Sequence, residues 1–248
     1  MKACVYLVGG LGNQLWIFLY AYHLLEYNDV VYIDSSWYHP GARFLFNPNR
    51  KLRHFHFSLF SNLSNRLLFR SNLFYSFLYR FTNIWILVSL VKRLLNIHYG
   101  YFQFSTLIDF KFLEGVRSSL HNFVSENYEH SVYEWFFCND YDSVHLRCGD
   151  RGEIDNFLLY SYLSGIMPIL DSQVCILSDN HDFAVSSAKL FPSSKTVIVL
   201  PANLSNEIFD FFVMSHSKSV FSIRDSTFSY WAQTLASFNT AYPSSFSK

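Results

Sequence analysis

A short run of strand-forming residues that ends in charged side chains is the part of the sequence best suited to chemistry. Residues 143–150 are Ser-Val-His-Leu-Arg-Cys-Gly-Asp. His145 and Arg147 are two residues apart, so on a strand they share one face. A guanidinium is a fixed fork of N–H donors, and open parallel sheets bind ligands at the carboxyl ends of their strands. Arg147 is therefore suited to bind a phosphate.

The same side chains also have ordinary structural explanations. His145 is flanked by strand formers, which favours a histidine satisfied inside a core. An arginine in so apolar a run needs an anionic partner. That partner is either a carboxylate such as Asp150 or a ligand phosphate. Asp150 fits both interpretations, because it can orient Arg147 and line a pocket.

Polar residues also follow a later strand and begin the helices after it. Ser178 and Asp179 end the strand predicted over residues 173–178. The carboxylate of Asp179 can accept hydrogen bonds from a ligand at that edge, although either residue can simply cap the next helix. Asp210 lies near the start of a further predicted helix. It is either a ligand contact or a charge that stabilises the helix dipole.

The last predicted helix begins with hydroxyl-bearing residues. Asp225 is followed by Ser226, Thr227 and Phe228. Two hydroxyls and free backbone N–H groups at a helix start form a phosphate site. An N-cap is the structural alternative, and the two interpretations are compatible.

A glycine-rich segment follows the first predicted strand. It reads Gly-Gly-Leu-Gly-Asn-Gln over residues 9–14, without the spaced glycines of a dinucleotide fingerprint or a Walker lysine. Gly10 and Gly12 allow a backbone to approach a ligand closely, and a tight structural turn is the alternative. Asn13 and Gln14 favour the ligand loop, because both can hydrogen-bond a ligand.

Asp140 and Asp142 have the spacing of a metal-binding pair of carboxylates, but they precede the strand at 143–148 instead of following it. A polar turn that opens the strand explains them better, and we predict no metal site.

Regular alternation of strands and helices predicts an α/β protein with parallel sheets. We predict an N-terminal α/β domain over residues 1–138 and a Rossmann-like domain over 139–248, facing each other across a cleft. The first domain carries a basic aromatic helical insertion at about 43–98. The predicted strands span residues 3–8, 30–34, 143–148, 173–178, 196–200 and 219–223. The predicted helices span residues 15–25, 65–81, 84–96, 105–123, 158–170, 181–190, 206–216 and 227–237.

Charge is distributed unevenly although the net charge is zero. Residues 35–108 hold nine basic and no acidic residues, whereas residues 109–248 hold nine basic and sixteen acidic ones. Interleaved aromatic residues make contact with an anionic membrane surface a better explanation than nucleic acid. A solvated basic face over a core-facing stripe is the alternative.

Other features bear on the compartment. No apolar run reaches the ~18 residues of a spanning helix, and the N-terminal residues do not resemble a signal peptide. The four cysteines have no metal-ligand spacing. We expect reduced thiols and a cytoplasmic protein, either free or peripheral on the cytoplasmic face of the inner membrane.

Six segments, in order, resemble the motifs of the bacterial α-1,2-fucosyltransferases, glycosyltransferase family 11. Residues 9–14 resemble the family's GGLGNQ, residues 99–103 its GYFQ and residues 145–150 its HxRRGD. Residues 177–180 resemble FSDD, residues 210–215 resemble D-x-x-x-M-S, and residues 225–231 resemble NSTFSWW. The resemblance covers nearly the whole chain.

The resemblance implies a two-domain GT-B fold and a metal-independent, inverting transfer of L-fucose from GDP-β-L-fucose to a galactose-type hydroxyl. It implies no cofactor, a nucleotide-sugar donor, and an oligosaccharide acceptor that is typically lipid-linked. Arg147 would bind the pyrophosphate and, with Asp150, is a catalytic candidate; Glu153 is a further candidate base. The implied donor pocket has twelve members: Gly10, Gly12, Asn13, Gln14, His145, Arg147, Ser178, Asp179, Asp210, Ser226, Thr227 and Phe228.

The chain departs from these motifs at positions near the donor. Cys148 replaces the second arginine, Asn180 the second aspartate of FSDD, and Asp225 the asparagine of NSTFS. The alternatives are therefore the same fold with another nucleotide-sugar donor, or a non-catalytic membrane-associated partner of polysaccharide assembly.

Overall fold

The computed structural model describes residues 1–38, 63–71, 96–98, 102–148, 154–224 and 226–241. The chain divides into two compact units, Met1–Ser119 and Leu120–Lys248. This division lies inside a helix, and the domain boundary expected at residue 138 stays a prediction. The strands are β1 Lys2–Tyr6, β2 Val30–Asp34, β3 Leu67–Arg70, β4 Ile97–His98, β5 Asp142–His145, β6 Gln173–Leu177, β7 Thr196–Val199 and β8 Ser219–Ser222. The α-helices are α1 Leu11–Leu24, α2 Phe110–Asn127, α3 His130–Cys138, α4 Asn156–Ile166, α5 His181–Ala188, α6 Glu207–His216 and α7 Thr227–Ala241.

Each unit contains a four-stranded parallel sheet with the same strand order. The first sheet has the order β3-β2-β1-β4, and the second has the order β7-β6-β5-β8. In both, the first strand of the unit is central and the fourth lies on its other side, as in the first four strands of the Rossmann order 3-2-1-4-5-6. The predicted α/β class is confirmed.

Continuous apolar runs explain why the central strands are buried. In β1, Val5 and Tyr6 are at most 1 % exposed, and Val144 of β5 is fully buried. Strands covered on both faces need such runs. Beside them, α1 buries Leu15 and Phe18 in the first unit, and the second unit has its own core cluster around the central strands.

Several local predictions were wrong at the helix starts. The first helix begins at Leu11, four residues earlier than expected, so most of the glycine-rich segment is its first turn. The helix predicted over residues 105–123 begins only at Phe110, where Asp109 accepts the N–H of Phe112 at 2.7 Å. A short 3₁₀ turn occupies the residues before.

The helix predicted over residues 65–81 is also wrong in its first part, where β3 pairs with β2. Leu67 and Phe69 pair with the strand formers Val31 and Ile33. The sheet's pairing therefore overrides the local helical spacing. The helix predicted over residues 84–96 lies outside the described residues, apart from Asn96.

Most of the basic aromatic stretch lies outside the described residues too. Arg66, which the structure describes, donates to the carbonyl oxygens of Asp29 and Leu25 at 2.8 and 2.9 Å. The guanidinium of Arg70 lies 4.6 Å from the ring centroid of Tyr32. These two side chains therefore contact the protein's own first unit. Within the described ranges, no helix is both long and apolar enough to cross a membrane.

Candidate functional site

The candidate site lies at the carboxyl ends of β5 and β8. Both are parallel neighbours in the sheet, and His145 at the end of β5 pairs with Ser222 at the end of β8. In this sheet, β6 lies on one side of β5 and β8 lies on the other. The strand order therefore reverses between β5 and β8. In open α/β sheets this position is the usual ligand crevice.

A chain of hydrogen bonds connects these strand ends to the start of α7. Nδ1 of His145 lies 2.8 Å from Oγ of Ser229. Ser229 donates to Oγ of Ser222 at 3.1 Å, and Ser222 donates to the carbonyl oxygen of Arg224 at 2.7 Å. The helix start, the strand end and the histidine are therefore held as one polar unit.

Burial keeps His145 uncharged. The residue is 7 % exposed, and its ring lies 5.4 Å from that of Phe228. Burial, reinforced by the charge of Arg147, lowers the pKa of His145 to about 4, although Asp179 acts in the opposite direction. The imidazole is neutral at physiological pH. Among the described residues none forms a hydrogen bond to its Nε2.

The residues around Arg147 are held by the end of β6. The N–H of Leu146 donates to the carbonyl of Leu177 at 2.8 Å, and Ser178 donates to the carbonyl of Leu146 at 2.6 Å. The N–H of Cys148 donates to Oδ1 of Asp179 at 2.8 Å. Ser178 and Asp179 thus fix the backbone on both sides of Arg147, which is half-buried.

Cys148 has a structural explanation at the position where the resembled motif carries an arginine. It is 7 % exposed, and its Sγ lies 3.9 Å from Oγ of Ser178. Burial raises the pKa of this thiol. The side chain therefore fills the core beside the turn as a neutral group. Gly149, Asp150 and Glu153 lie outside the described residues.

Asp210 has a carboxyl group whose pKa is raised into the neutral range. Burial is the largest cause that raises its pKa to about 7, and the charges of Glu207 and Asp179 add to the effect. Ser205 donates to the carboxyl at 3.1 Å and opposes the shift. Near neutral pH, Asp210 can act as a proton donor or as an acceptor in a hydrogen bond.

The helix starts confirm one capping interpretation and correct another. Ser226 accepts the N–H of Ser229 at 3.0 Å, which is the expected cap of α7. Asn180, and not Ser178 or Asp179, caps α5 by accepting the N–H of Phe183 at 3.1 Å. Thr227 is half-buried, and Asp225 lies outside the described residues.

The glycine-rich segment of the first unit is a turn whose carbonyl is bound internally. Gly9 has a φ of 89°, a left-handed value that suits glycine. Its carbonyl oxygen accepts from the hydroxyl of Tyr38 at 2.6 Å and from Nε2 of Gln14 at 3.3 Å. Gln14 is fully buried, Asn13 is half-buried, and Gly10 and Gly12 are buried. Their roles in donor binding stay predictions.

Residues 140–142 lie where a strand opens, as predicted, but Asp142 belongs to the strand itself and is buried, so the predicted polar turn is wrong at this residue. Asp142 is the first residue of β5, and its Oδ2 accepts the N–H of Asp171 at 2.6 Å. Tyr141 is fully buried and donates to the carbonyl of Val213 at 2.7 Å. Within the described residues, no group of three or more His, Cys, Asp or Glu side chains converges in a metal-binding arrangement.

Sequence reasoning missed Ser222, Ser229 and Ser205. Ser229 lies three residues after Ser226, so the two side chains share a helix face, and this spacing was an available signal. Ser222 ends a strand, as His145 does. Ser205 carries no comparable signal, since its role depends on the burial of Asp210.

No protein-family model matches the sequence, and no curated protein matches it. Among solved structures, the chain is similar to the fucosyltransferase NodZ from Bradyrhizobium, with a TM-score of 0.50 and 13 % identity. That match covers 95 % of this chain and 92 % of NodZ. The likeness to NodZ concerns the fold, which in this chain consists of two α/β units, each with a four-stranded parallel sheet. The apo-form of POFUT1 is also similar, at a TM-score of 0.39 and 10 % identity over 93 % of both chains.

Proposed function

We propose that this protein is an inverting, metal-independent glycosyltransferase that transfers L-fucose from GDP-β-L-fucose to a galactose-type hydroxyl, forming an α-1,2 linkage. The acceptor is a surface polysaccharide or O-antigen repeat unit. The observation that carries the proposal is the His145 cluster where the strand order reverses, with Arg147 two residues beyond the end of the same strand. A fucosyltransferase-like fold and the resembled motifs support the choice of donor.

Charge development explains how this cluster would serve the reaction. The leaving nucleoside diphosphate gains negative charge as the bond to the sugar breaks. Arg147 and the N–H groups at the start of α7, near Ser226 and Thr227, would stabilise that charge electrostatically. The fixed backbone of residues 146–148 would keep Arg147 in position without reorganisation during the reaction.

The acidic residues of the pocket would bind the nucleotide and assist the acceptor. Asp179 uses Oδ1 for the N–H of Cys148, and its exposed carboxylate can accept from the base or ribose. Asp210 would make a second contact with the donor. Asp150 is the proposed base on the acceptor hydroxyl. No cofactor or metal takes part in this proposal.

The acceptor side of the proposal concerns the first unit and the basic aromatic stretch. A lipid-linked oligosaccharide would bring the enzyme to an anionic membrane on the cytoplasmic face, where basic and aromatic residues favour peripheral binding. Arg66 and Arg70 are engaged inside the unit, so the basic residues outside the described ranges would make this contact.

Substitution of Arg147 tests the donor site. We expect Arg147→Ala to reduce fucose transfer by about 10²-fold or more, because one charged donor to the leaving group is lost. Lys218→Ala is the matched control. It removes a cation that pairs with Asp171 at 2.8 Å at the opposite end of the same sheet, and should leave transfer unchanged. Transfer at wild-type rates by Arg147→Ala would refute the site assignment.

A different donor is the second candidate, and Cys148 favours it, since this neutral thiol occupies the position of a second arginine. Calorimetry with GDP and UDP, followed by transfer from a panel of nucleotide sugars, separates the candidates. Binding of GDP but not UDP supports fucose transfer. The reverse result supports another donor, and binding of neither supports a non-catalytic partner.

A further inference from the structure

The serine hydroxyls beside His145 can be counted proton by proton. The carbonyl of Arg224 can only accept, so the contact at 2.7 Å uses the single hydroxyl proton of Ser222. The Oγ of Ser222 must then accept from Ser229, whose own proton is used in that bond at 3.1 Å. Ser229 has no second proton for the imidazole. The 2.8 Å contact with His145 therefore requires a proton on Nδ1.

The third neighbour of Ser229 agrees with this count. Ser226 lies 3.0 Å from Oγ of Ser229, and it must be the donor there because the proton of Ser229 is already used. Ser229 then donates once and accepts twice, which is the full capacity of a hydroxyl group. The bonding order runs in one direction, from the histidine to the backbone carbonyl.

A neutral imidazole with a proton on Nδ1 carries a lone pair on Nε2. Among the described residues none contacts that nitrogen by a hydrogen bond. The ring is confined, since the side chain is 7 % exposed and packs on Phe228. Nε2 can therefore accept a hydrogen bond but cannot donate one. It lies at the carboxyl ends of the strands, where a ligand is expected.

We propose that Ser229 and Ser222 are positioning residues that fix His145 as the Nδ1–H tautomer, so that Nε2 accepts a hydrogen bond from an N–H or O–H group of the nucleotide. This inference rests on the proposed function for the identity of the ligand. It adds a selectivity rule, because a ligand group that only accepts would face the lone pair of Nε2 and be rejected.

The tautomer can be measured without any ligand. In protein labelled with ¹⁵N-histidine, two-bond ¹H–¹⁵N correlation spectra distinguish protonated from unprotonated ring nitrogens, and His145→Gln assigns the signal among ten histidines. We expect wild-type His145 to show a protonated Nδ1 and an unprotonated Nε2. A protonated Nε2 in the wild type would overturn the proposal.

Serine variants then test the cause. Ser229→Ala removes the acceptor for Nδ1–H, so we expect the population to shift toward the Nε2–H tautomer and GDP affinity to fall about tenfold. Ser229→Thr keeps a hydroxyl and should restore both. Ser187→Ala is the control, since Ser187 is 1 % exposed and its Oγ has no hydrogen-bond partner within the described residues. An unchanged tautomer in Ser229→Ala would contradict the proposal.

Two further results keep this test separate from the proposed function. If Ser229→Ala does not fold, Ser222→Ala gives the same readout, because Ser229 then regains a free proton and can donate to Nδ1. If the wild type shows the Nδ1–H tautomer but binds no GDP, the proposed donor fails while the tautomer assignment stands. If GDP binds and Nε2 is protonated, the reverse holds.

Discussion

Each unit of this protein places a histidine at the end of a strand beside the reversal of strand order, and the two histidines differ in what they bond. His98 ends β4, and both of its nitrogens have partners: Nδ1 lies 2.9 Å from the hydroxyl of Tyr20, and Nε2 lies 2.9 Å from Oδ1 of Asn96. In His145, Nδ1 alone has a partner among the described residues. The same sheet order therefore carries a histidine with both nitrogens bonded at the end of the fourth strand in one unit, and a histidine with an available acceptor nitrogen at the end of the first strand in the other.

The order of the strands therefore decides where a site can lie. Whether both ring nitrogens of the histidine already have hydrogen-bond partners decides whether that histidine can bind a ligand. The amide of Asn96 is itself fixed, because its Nδ2 donates to the carbonyl of Lys2 at 3.1 Å and to Oδ1 of Asn28 at 3.2 Å. Both ring nitrogens of His98 are therefore bonded to fixed protein groups. In His145, Nε2 has no such partner among the described residues.

The largest effect that can sharpen this comparison is the pH dependence of folding. The folded protein lowers the pKa of His145 from 6.5 to about 4. Between these values the unfolded chain binds a proton that the folded protein does not, so the free energy of unfolding falls as pH falls. We expect a contribution of about 3 kcal/mol at pH 4 relative to pH 7. Urea denaturation across this pH range measures it, and His145→Gln should remove it.

Asp210 supplies a control with the opposite sign. Its pKa is raised from 3.8 to about 7, so between these values the folded protein binds the extra proton and loses relative stability as pH rises. The stability difference between wild type and Asp210→Asn should therefore shrink from pH 4 to pH 7. For His145, the matching comparison is the free energy of unfolding of the wild type minus that of His145→Gln. If this difference did not vary with pH, His145 would not be buried as a neutral group.

A smaller effect is expected from replacing the saturated histidine. His98→Phe keeps a ring but leaves the hydroxyl of Tyr20 and the amide of Asn96 without their partner. Two lost hydrogen bonds predict a destabilisation of about 2 kcal/mol in urea denaturation. Tyr20→Phe, which removes one of the two bonds, should cost about half as much. GDP affinity should be unchanged in both variants. A tenfold loss of GDP affinity in His98→Phe would show that His98, like His145, contributes to ligand binding.

The smallest effect concerns the glycine turn of the first unit. Gly9→Ala places a Cβ on a left-handed residue, at 2.7 Å from Nδ2 of Asn13, and should destabilise the protein by about 1 to 2 kcal/mol. Gly165→Ala in α4 is the matched control, because its added Cβ meets no atom within 4 Å. That helix should gain up to about 1 kcal/mol. Urea denaturation midpoints of Gly9→Ala and Gly165→Ala measure both effects. Equal shifts from the wild-type midpoint would show that the turn at Gly9 is not constrained.

Strand runs and strand-end residues made much of the second unit predictable. Each predicted strand from residue 143 onward overlaps an observed one, because continuous apolar runs suit strands buried on both faces. Prediction was poorer at β3, where residues 67–70 have helical spacing nearby but pair with β2. Sheet pairing is a long-range interaction, and local periodicity does not contain it.

The sequence by itself determined the α/β class, the position of His145 and Arg147 near the end of a strand, and an N-cap as one interpretation of the start of α7. These follow from apolar runs, period-two spacing and local hydroxyl chemistry, all of which act within a few residues. Only the tertiary structure decided which hydroxyls meet His145. Ser222 and Ser229 lie 77 and 84 residues further along the chain, so their contact depends on how the parallel strands are ordered in the sheet. The tautomer of His145 follows from that meeting.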